Sequence, residues 1–84
     1  MNYWSTIIVD GEQMTPSQCR AGRALLDWTQ GELAEASGLG LSTVVDFERD
    51  RRRVSDEAME AIRQALGKAG VEFTNGKRPG VRLK

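Results

Sequence analysis

The chain has 84 residues, and its 12 lysines and arginines balance its 12 aspartates and glutamates, so the formal net charge is zero. A chain of this length forms one small domain, and its charge balance argues against a uniformly basic nucleic-acid sheath or an acidic tail. The absence of histidine and the single cysteine remove the usual general base, the commonest zinc ligand and any internal disulfide. We therefore expect a binding domain, not an enzyme, with no metal and no cofactor.

Charge is distributed unevenly along the chain. Residues 1–48 hold two basic and seven acidic side chains, a net of −5, whereas residues 49–84 hold ten basic and five acidic ones, a net of +5. A neutral protein can still present a basic face if its fold gathers the second half on one side. The lone cysteine, the lack of a signal peptide and the lack of an 18-residue apolar run predict a cytoplasmic protein with no membrane partner.

Residues 1–13 are predicted to form an N-terminal strand extension. The sequence WSTIIV, which starts at Trp4, is aromatic and β-branched and is followed by an Asp-Gly turn signal. Trp4, Ile7 and Ile8 can belong to the domain's own core, but so small a domain has little room to bury them. We expect these three residues to form a dimer interface.

A helical core is predicted over residues 15–70, and capping boxes mark its first two helix starts. Thr15 with Gln18, and Thr29 with Glu32, each place a hydroxyl three residues before a side chain that can bond back. The first helix is expected to end near residue 27, and the second at Gly38, which suits the left-handed residue after a helix.

A third helix is predicted from near Leu41 to near Asp50, and a fourth from Ser55 to Gly70. Two extended segments with turn residues between them then predict a β-hairpin over residues 71–84. A lone hairpin is marginal in water, so we expect the N-terminal segment to add a third strand, either from the same chain or from a partner. The whole chain is thus predicted to be a single, mostly α domain of four to five helices with an N-terminal strand and a C-terminal hairpin.

Residues 29–48 have the spacing of a helix-turn-helix. Ala34 provides the small side chain needed where two helices cross, and Gly38 provides the left-handed turn residue. Val44 and Phe47 lie three residues apart and can anchor the second helix on the core. A plain helical hairpin inside a core is the alternative interpretation.

Residues 15–70 resemble the phage-repressor, or XRE-like, helix-turn-helix family of prokaryotic transcription regulators. The segments that carry the resemblance are TQGELAEASGLG and STVVDFERDRRR. The tail GVEFTNGKRPGVRL resembles the ending of short alphaproteobacterial members. The resemblance implies a repressor-like domain whose third helix, about residues 41–50, enters the major groove N-terminus first.

The resemblance also implies roles for individual residues. The residues expected to face DNA bases are Leu41, Ser42 and Asp46. The residues expected to contact phosphates are Gln30, Thr43, Arg49, Arg51, Arg52 and Arg53. Arg23 and Glu48 are expected to form a structural ion pair that braces the first helix against the end of the third.

The residues expected to face bases can make few contacts that distinguish one base from another. Leu41 offers only apolar contact, for example to a thymine methyl, and Ser42 can bond to any base. Asp46 is repelled by phosphate but can accept from the N4 amino group of cytosine. We therefore expect specificity to depend partly on DNA shape.

Together these features predict a sequence-specific regulator that binds a double-stranded DNA operator, associated with the nucleoid. One recognition helix reads few base pairs, so we expect a homodimer on paired half-sites. The alternative is a protein–protein adaptor, antitoxin-like or an anti-activator, that keeps the fold and binds a protein partner. The zero net charge, Asp46 and the apolar N-terminus motivate this alternative.

Overall fold

A computed structural model describes residues 14–74 and 78–84. The elements in these residues are α1 (Pro16–Leu26), α2 (Gln30–Ser37), α3 (Leu41–Glu48), α4 (Asp56–Lys68), β1 (Val71–Thr74) and β2 (Gly80–Leu83). The predicted mostly helical fold with a C-terminal hairpin is confirmed, with four helices in the described residues. The predicted strand over residues 1–13, with Trp4, Ile7 and Ile8, lies outside the described residues.

Both predicted capping boxes are present. The hydroxyl of Thr15 accepts from the Gln18 amide N–H at 3.1 Å, and the Gln18 side chain accepts from the Thr15 N–H at 2.9 Å. At the start of α2 the same pair of bonds joins Thr29 and Glu32, at 3.0 and 2.7 Å. The Ser55 hydroxyl caps α4 in the simpler one-bond form. These local bonds satisfy amide groups that a helix start leaves without partners.

The first three helices end in one shared geometry. Asp27, Gly38 and Asp50 adopt left-handed backbone conformations, with φ of 59°, 75° and 56°. In each case the N–H of this residue bonds to the carbonyl three residues back, and the next N–H bonds to the carbonyl five back. This is the Schellman arrangement, which usually has glycine at the left-handed position. Glycine occupies it only after α2, and aspartate adopts it elsewhere at a conformational cost.

The core lies where α1, α2 and α4 meet α3 and β1. Its fully buried members include Leu33, Val44, Ile62 and Leu66. Gly22 in α1 faces Leu66 and Val71, and a Cβ there would lie 3.4 Å from a Leu66 methyl carbon and 3.5 Å from one of Val71. These are ordinary contact distances, so α1 packs closely on α4 and β1 at this point without requiring glycine.

Gln18 fastens the hairpin to α1. Its side chain is buried, and its amide nitrogen donates to the backbone carbonyls of Thr74 and Gly80, at 3.0 Å each. Thr74 and Gly80 are the last antiparallel pair before the turn. Within the described residues the sheet has two strands, and Gln18 holds it at the end next to the turn.

We expect Asp27→Gly to raise the free energy of unfolding by about 0.5–1 kcal/mol, because glycine adopts the left-handed conformation without a Cβ clash. Gly38→Ala should lower it by about 1 kcal/mol, for a purely conformational reason, since no atom lies within 4 Å of the added Cβ. Asp27→Gly removes both the Cβ and the negative charge, whereas Asp27→Asn removes only the charge. Comparing the two variants separates the conformational effect from the effect of charge. Urea denaturation measures all three, and a less stable Asp27→Gly protein would contradict the argument.

Candidate nucleic-acid interface

Helix α3 presents one face to the surface. Val44, Phe47 and Glu48 are buried against the rest of the domain. On the opposite side Ser42 and Asp46 lie four residues apart, so they share the outward face. Leu41 at the N-terminal end is 53% exposed. The outward face therefore carries apolar, hydroxyl and carboxylate groups in a row.

The N-terminus of α3 has no side-chain cap. Its N-cap residue is Gly40, which has no side chain to cap the helix. The two polar residues that follow Leu41 are an exposed Ser42 and a half-buried Thr43. Free amide groups and the helix dipole favour an anion at such an end. The N-terminus of α2 differs, because Thr29 and the Glu32 carboxylate already satisfy amide groups there.

Glu48 is a buried carboxylate that joins three helices. It is 1% exposed, and its two oxygens lie 2.7 and 2.8 Å from the Nε and Nη2 atoms of Arg23, in a two-point ion pair. The side-chain amide of Gln30, at the start of α2, donates to it at 3.0 Å. The Cys19 thiol donates to it at 3.0 Å from within α1. The last turn of α3 is thereby held against both α1 and α2.

Burial and hydrogen bonding have opposite effects on the pKa of Glu48. Burial alone would raise the pKa, but the bonds from Arg23, Cys19 and Gln30 outweigh it and hold the pKa below its ordinary value. Arg23 carries the matching change, because its bond to Glu48 raises its own pKa. The pair is therefore charged throughout the neutral pH range.

Arg20 provides a second tie between α1 and the end of α3. Its guanidinium donates to the backbone carbonyl of Glu48 and, at 3.1 Å, to the Ser17 hydroxyl. A cation at the C-terminal end of a helix also suits the helix dipole. Arg20 and Arg23, three residues apart on one face of α1, thus both contact Glu48. Sequence reasoning overlooked Arg20, although the first 48 residues contain no other basic side chain than these two.

The residues predicted to contact phosphate differ in their surroundings. Gln30 already uses its amide nitrogen on Glu48, as described above. The four arginines predicted to contact phosphate are all exposed: Arg49, Arg51, Arg52 and Arg53. Arg53 lies 3.7 Å from Asp56 in a solvent-exposed pair, which contributes little.

Asp46, predicted to face a base, is paired within the protein. Its Oδ2 accepts from the Nε of Arg52 at 2.8 Å, and its Oδ1 lies 4.0 Å from Arg51. Arg49, three residues along the same helix face, has no acidic partner in residues 14–74 and 78–84. The sequence predicted the same role for all four arginines, because which of them lie near a carboxylate depends on the fold.

No helix in the described part of the chain is both long and apolar enough to cross a membrane. Comparison with models of protein families matches residues 20–73 to the family described as helix-turn-helix. The match covers more than half of the chain and includes α2, the turn and α3. A search of curated proteins finds no match.

We expect Glu48→Gln to lower the free energy of unfolding at pH 7 by about 3 kcal/mol, because it leaves Arg23 without its counter-charge. The Glu48 pKa is lowered by folding, so its contribution is present above the ordinary value of 4.5 and is lost as the pH falls through the folded value. Denaturation from pH 7 to pH 3 should therefore show a flatter profile for Glu48→Gln than for the native chain.

Glu60→Gln is the matched control for that profile, because Glu60 is exposed and its ion pair with Arg63 is a surface one. It should cost less than about 1 kcal/mol. Equal pH profiles for Glu48→Gln and the native chain would show that the buried ion pair does not drive acid unfolding.

Cys19 should be inert in the native protein. Burial, and then the hydrogen bond to Glu48, raise the pKa of its thiol, so the reactive thiolate is scarce at neutral pH. We expect a chromogenic disulfide reagent to label Cys19 only at the rate of unfolding, and faster in Glu48→Gln. Rapid labelling with the helical circular dichroism intact would contradict this burial.

Proposed function

The chain belongs to the phage-repressor, XRE-like type of the helix-turn-helix family, whose members are DNA-binding transcription regulators, and we propose that it recognises a specific operator by inserting α3 into the major groove. The observation that carries this proposal is the outward face of α3, which combines an uncapped N-terminus with exposed arginines directly after the helix. The family is generally non-enzymatic. Such a protein would act at the nucleoid, in the cytoplasm.

The geometry supports a division of contacts along α3. Leu41 and Ser42, at the exposed N-terminal end, are the residues nearest to base edges when a recognition helix enters the groove tip first. Thr43, half-buried beside them, would contact phosphate together with the uncapped amides. Asp46 lies one turn further along and would reach the next base pair.

Arg49 is the arginine best placed for phosphate. It is exposed, lies on the outward side at the end of α3 and has no acidic partner among the described residues. Further phosphate contacts would come from Arg51, Arg52 and Arg53, once each has broken its ion pair with Asp46 or Asp56. Gln30 would contribute to phosphate binding from the start of α2, oriented by its bond to Glu48.

We further propose that the protein binds DNA as a homodimer. Helix α3 has eight residues and is about 12 Å long, so it spans only a few base pairs. Two copies on half-sites one helical turn apart would double the sequence that is read. Trp4, Ile7 and Ile8 remain the proposed interface. Selection of bound sequences from a random DNA pool would reveal such half-sites as a repeated motif with fixed spacing.

The Arg49→Ala variant, which removes one positive charge, tests the DNA contact. We expect it to weaken binding to all duplexes alike and to flatten the plot of log affinity against log salt by about 0.9, the value for one lost phosphate contact. Fluorescence anisotropy with a labelled duplex from the selected pool measures both.

Lys68→Ala is the matched control, since it removes one positive charge at the far end of α4, about 18 Å along the helix from its start. It should leave affinity and salt dependence unchanged. Equal effects of the two variants, or an affinity indifferent to salt, would contradict the proposed interface. A protein partner captured in fixed stoichiometry, without binding to any pool sequence, would instead support the adaptor alternative.

A further inference from the structure

Asp46 places a carboxylate in the middle of the surface proposed to bind a polyanion. It lies on the outward face of α3, is held at 2.8 Å to the Nε of Arg52 and approaches Arg51 at 4.0 Å. A solvated acid at this position would repel the DNA phosphates. An acid that is paired with arginines has a second effect, because the pairing decides whether those arginines can bind phosphate.

The backbone turn at the C-terminal end of α3 brings Asp46 and Arg52 together. Asp50 takes the left-handed conformation, and the amide of Arg51 bonds back to the Asp46 carbonyl at 2.9 Å. The backbone therefore reverses, and Arg52 returns over the last turn of the helix instead of extending beyond it. Arg52 lies six positions after Asp46, a spacing at which a continuous helix would not bring the two side chains together.

The carboxylate occupies the site that a phosphate would take. An arginine guanidinium binds carboxylate and phosphate oxygens through the same N–H groups. The Asp46 side chain is 21% exposed and that of Arg52 55% exposed, so the pair lies at the surface and can exchange partners. While Arg52 is neutralised by Asp46, it releases fewer counterions from DNA and adds less to affinity.

We propose that Asp46 is a specificity-determining residue that withholds Arg52 from phosphate on DNA of the wrong sequence. This inference rests on the proposed function, because it needs α3 in the major groove. Where the operator offers a base amino group, such as cytosine N4, Asp46 accepts from it and Arg52 moves to the backbone. On other sequences, release of Arg52 would leave an unpaired carboxylate facing the phosphates, so Arg52 stays with Asp46.

Asp46→Asn tests the exchange. It keeps the side-chain shape and the backbone bonds that end α3, and it removes the charge that holds Arg52. We expect affinity for a scrambled 20-base-pair duplex to rise about three- to tenfold, with a salt slope steeper by about one unit. Affinity for the duplex selected from the random pool should rise less, so the ratio of the two affinities falls.

Asp50→Asn is the matched control. Asp50 is exposed, adjoins the same arginines and forms no ion pair within the described residues, and asparagine accepts its left-handed conformation. It should change affinity for the scrambled duplex less than twofold. Arg52→Ala supplies the second control, because it should flatten the salt slope on that duplex by about one unit in the Asp46→Asn background and little in the native chain.

Equal effects of Asp46→Asn and Asp50→Asn would overturn the inference, since simple charge removal would then account for both. An Arg52→Ala effect of the same size in both backgrounds would also overturn it. Binding of neither duplex by the native chain would instead overturn the proposed function, and the inference with it.

Discussion

The arrangement of this domain depends on one buried carboxylate. Glu48 at the end of α3 is stable as an anion only because Arg23, Gln30 and Cys19 all donate to it. Two of these donors come from α1 and one from α2, so the carboxylate fixes α3 relative to both. Without that fixed geometry the outward face of a two-turn helix would have no defined direction, because so short a helix has little stability of its own.

The last turn of α3 carries two carboxylates in different surroundings. Glu48 faces inward and takes its cations from α1, whereas Asp46, two residues earlier, faces outward and takes its cations from the segment after the helix. Asp46, in the acidic first half of the chain, thus pairs with arginines of the basic second half. A neutral protein can in this way keep exposed arginines beside α3 while one of its own acids pairs with two of them.

Local chemistry explains which features the sequence could predict. The caps at Thr15, Thr29 and Ser55 involve residues three apart, so they were predictable from neighbouring side chains. Left-handed aspartates after α1 and α3 gave no such signal, because aspartate also suits many other positions. Contacts between distant residues were hidden, including the clamp from Gln18 to the hairpin 56 and 62 residues away. The Asp46–Arg52 pair was hidden because it depends on the chain reversal after α3.

Glu48 holds α3 so that one of its faces is directed outward, and we propose that this face contacts DNA. Nuclear magnetic resonance titration of the full chain with the pool-selected duplex locates the contact, because backbone amides report separately. The largest shifts are expected at the N-terminal turn of α3 and at Arg49, with the Arg23 side-chain signal and the far end of α4 unchanged. Shifts concentrated in the hairpin or on α4, with α3 silent, would contradict it.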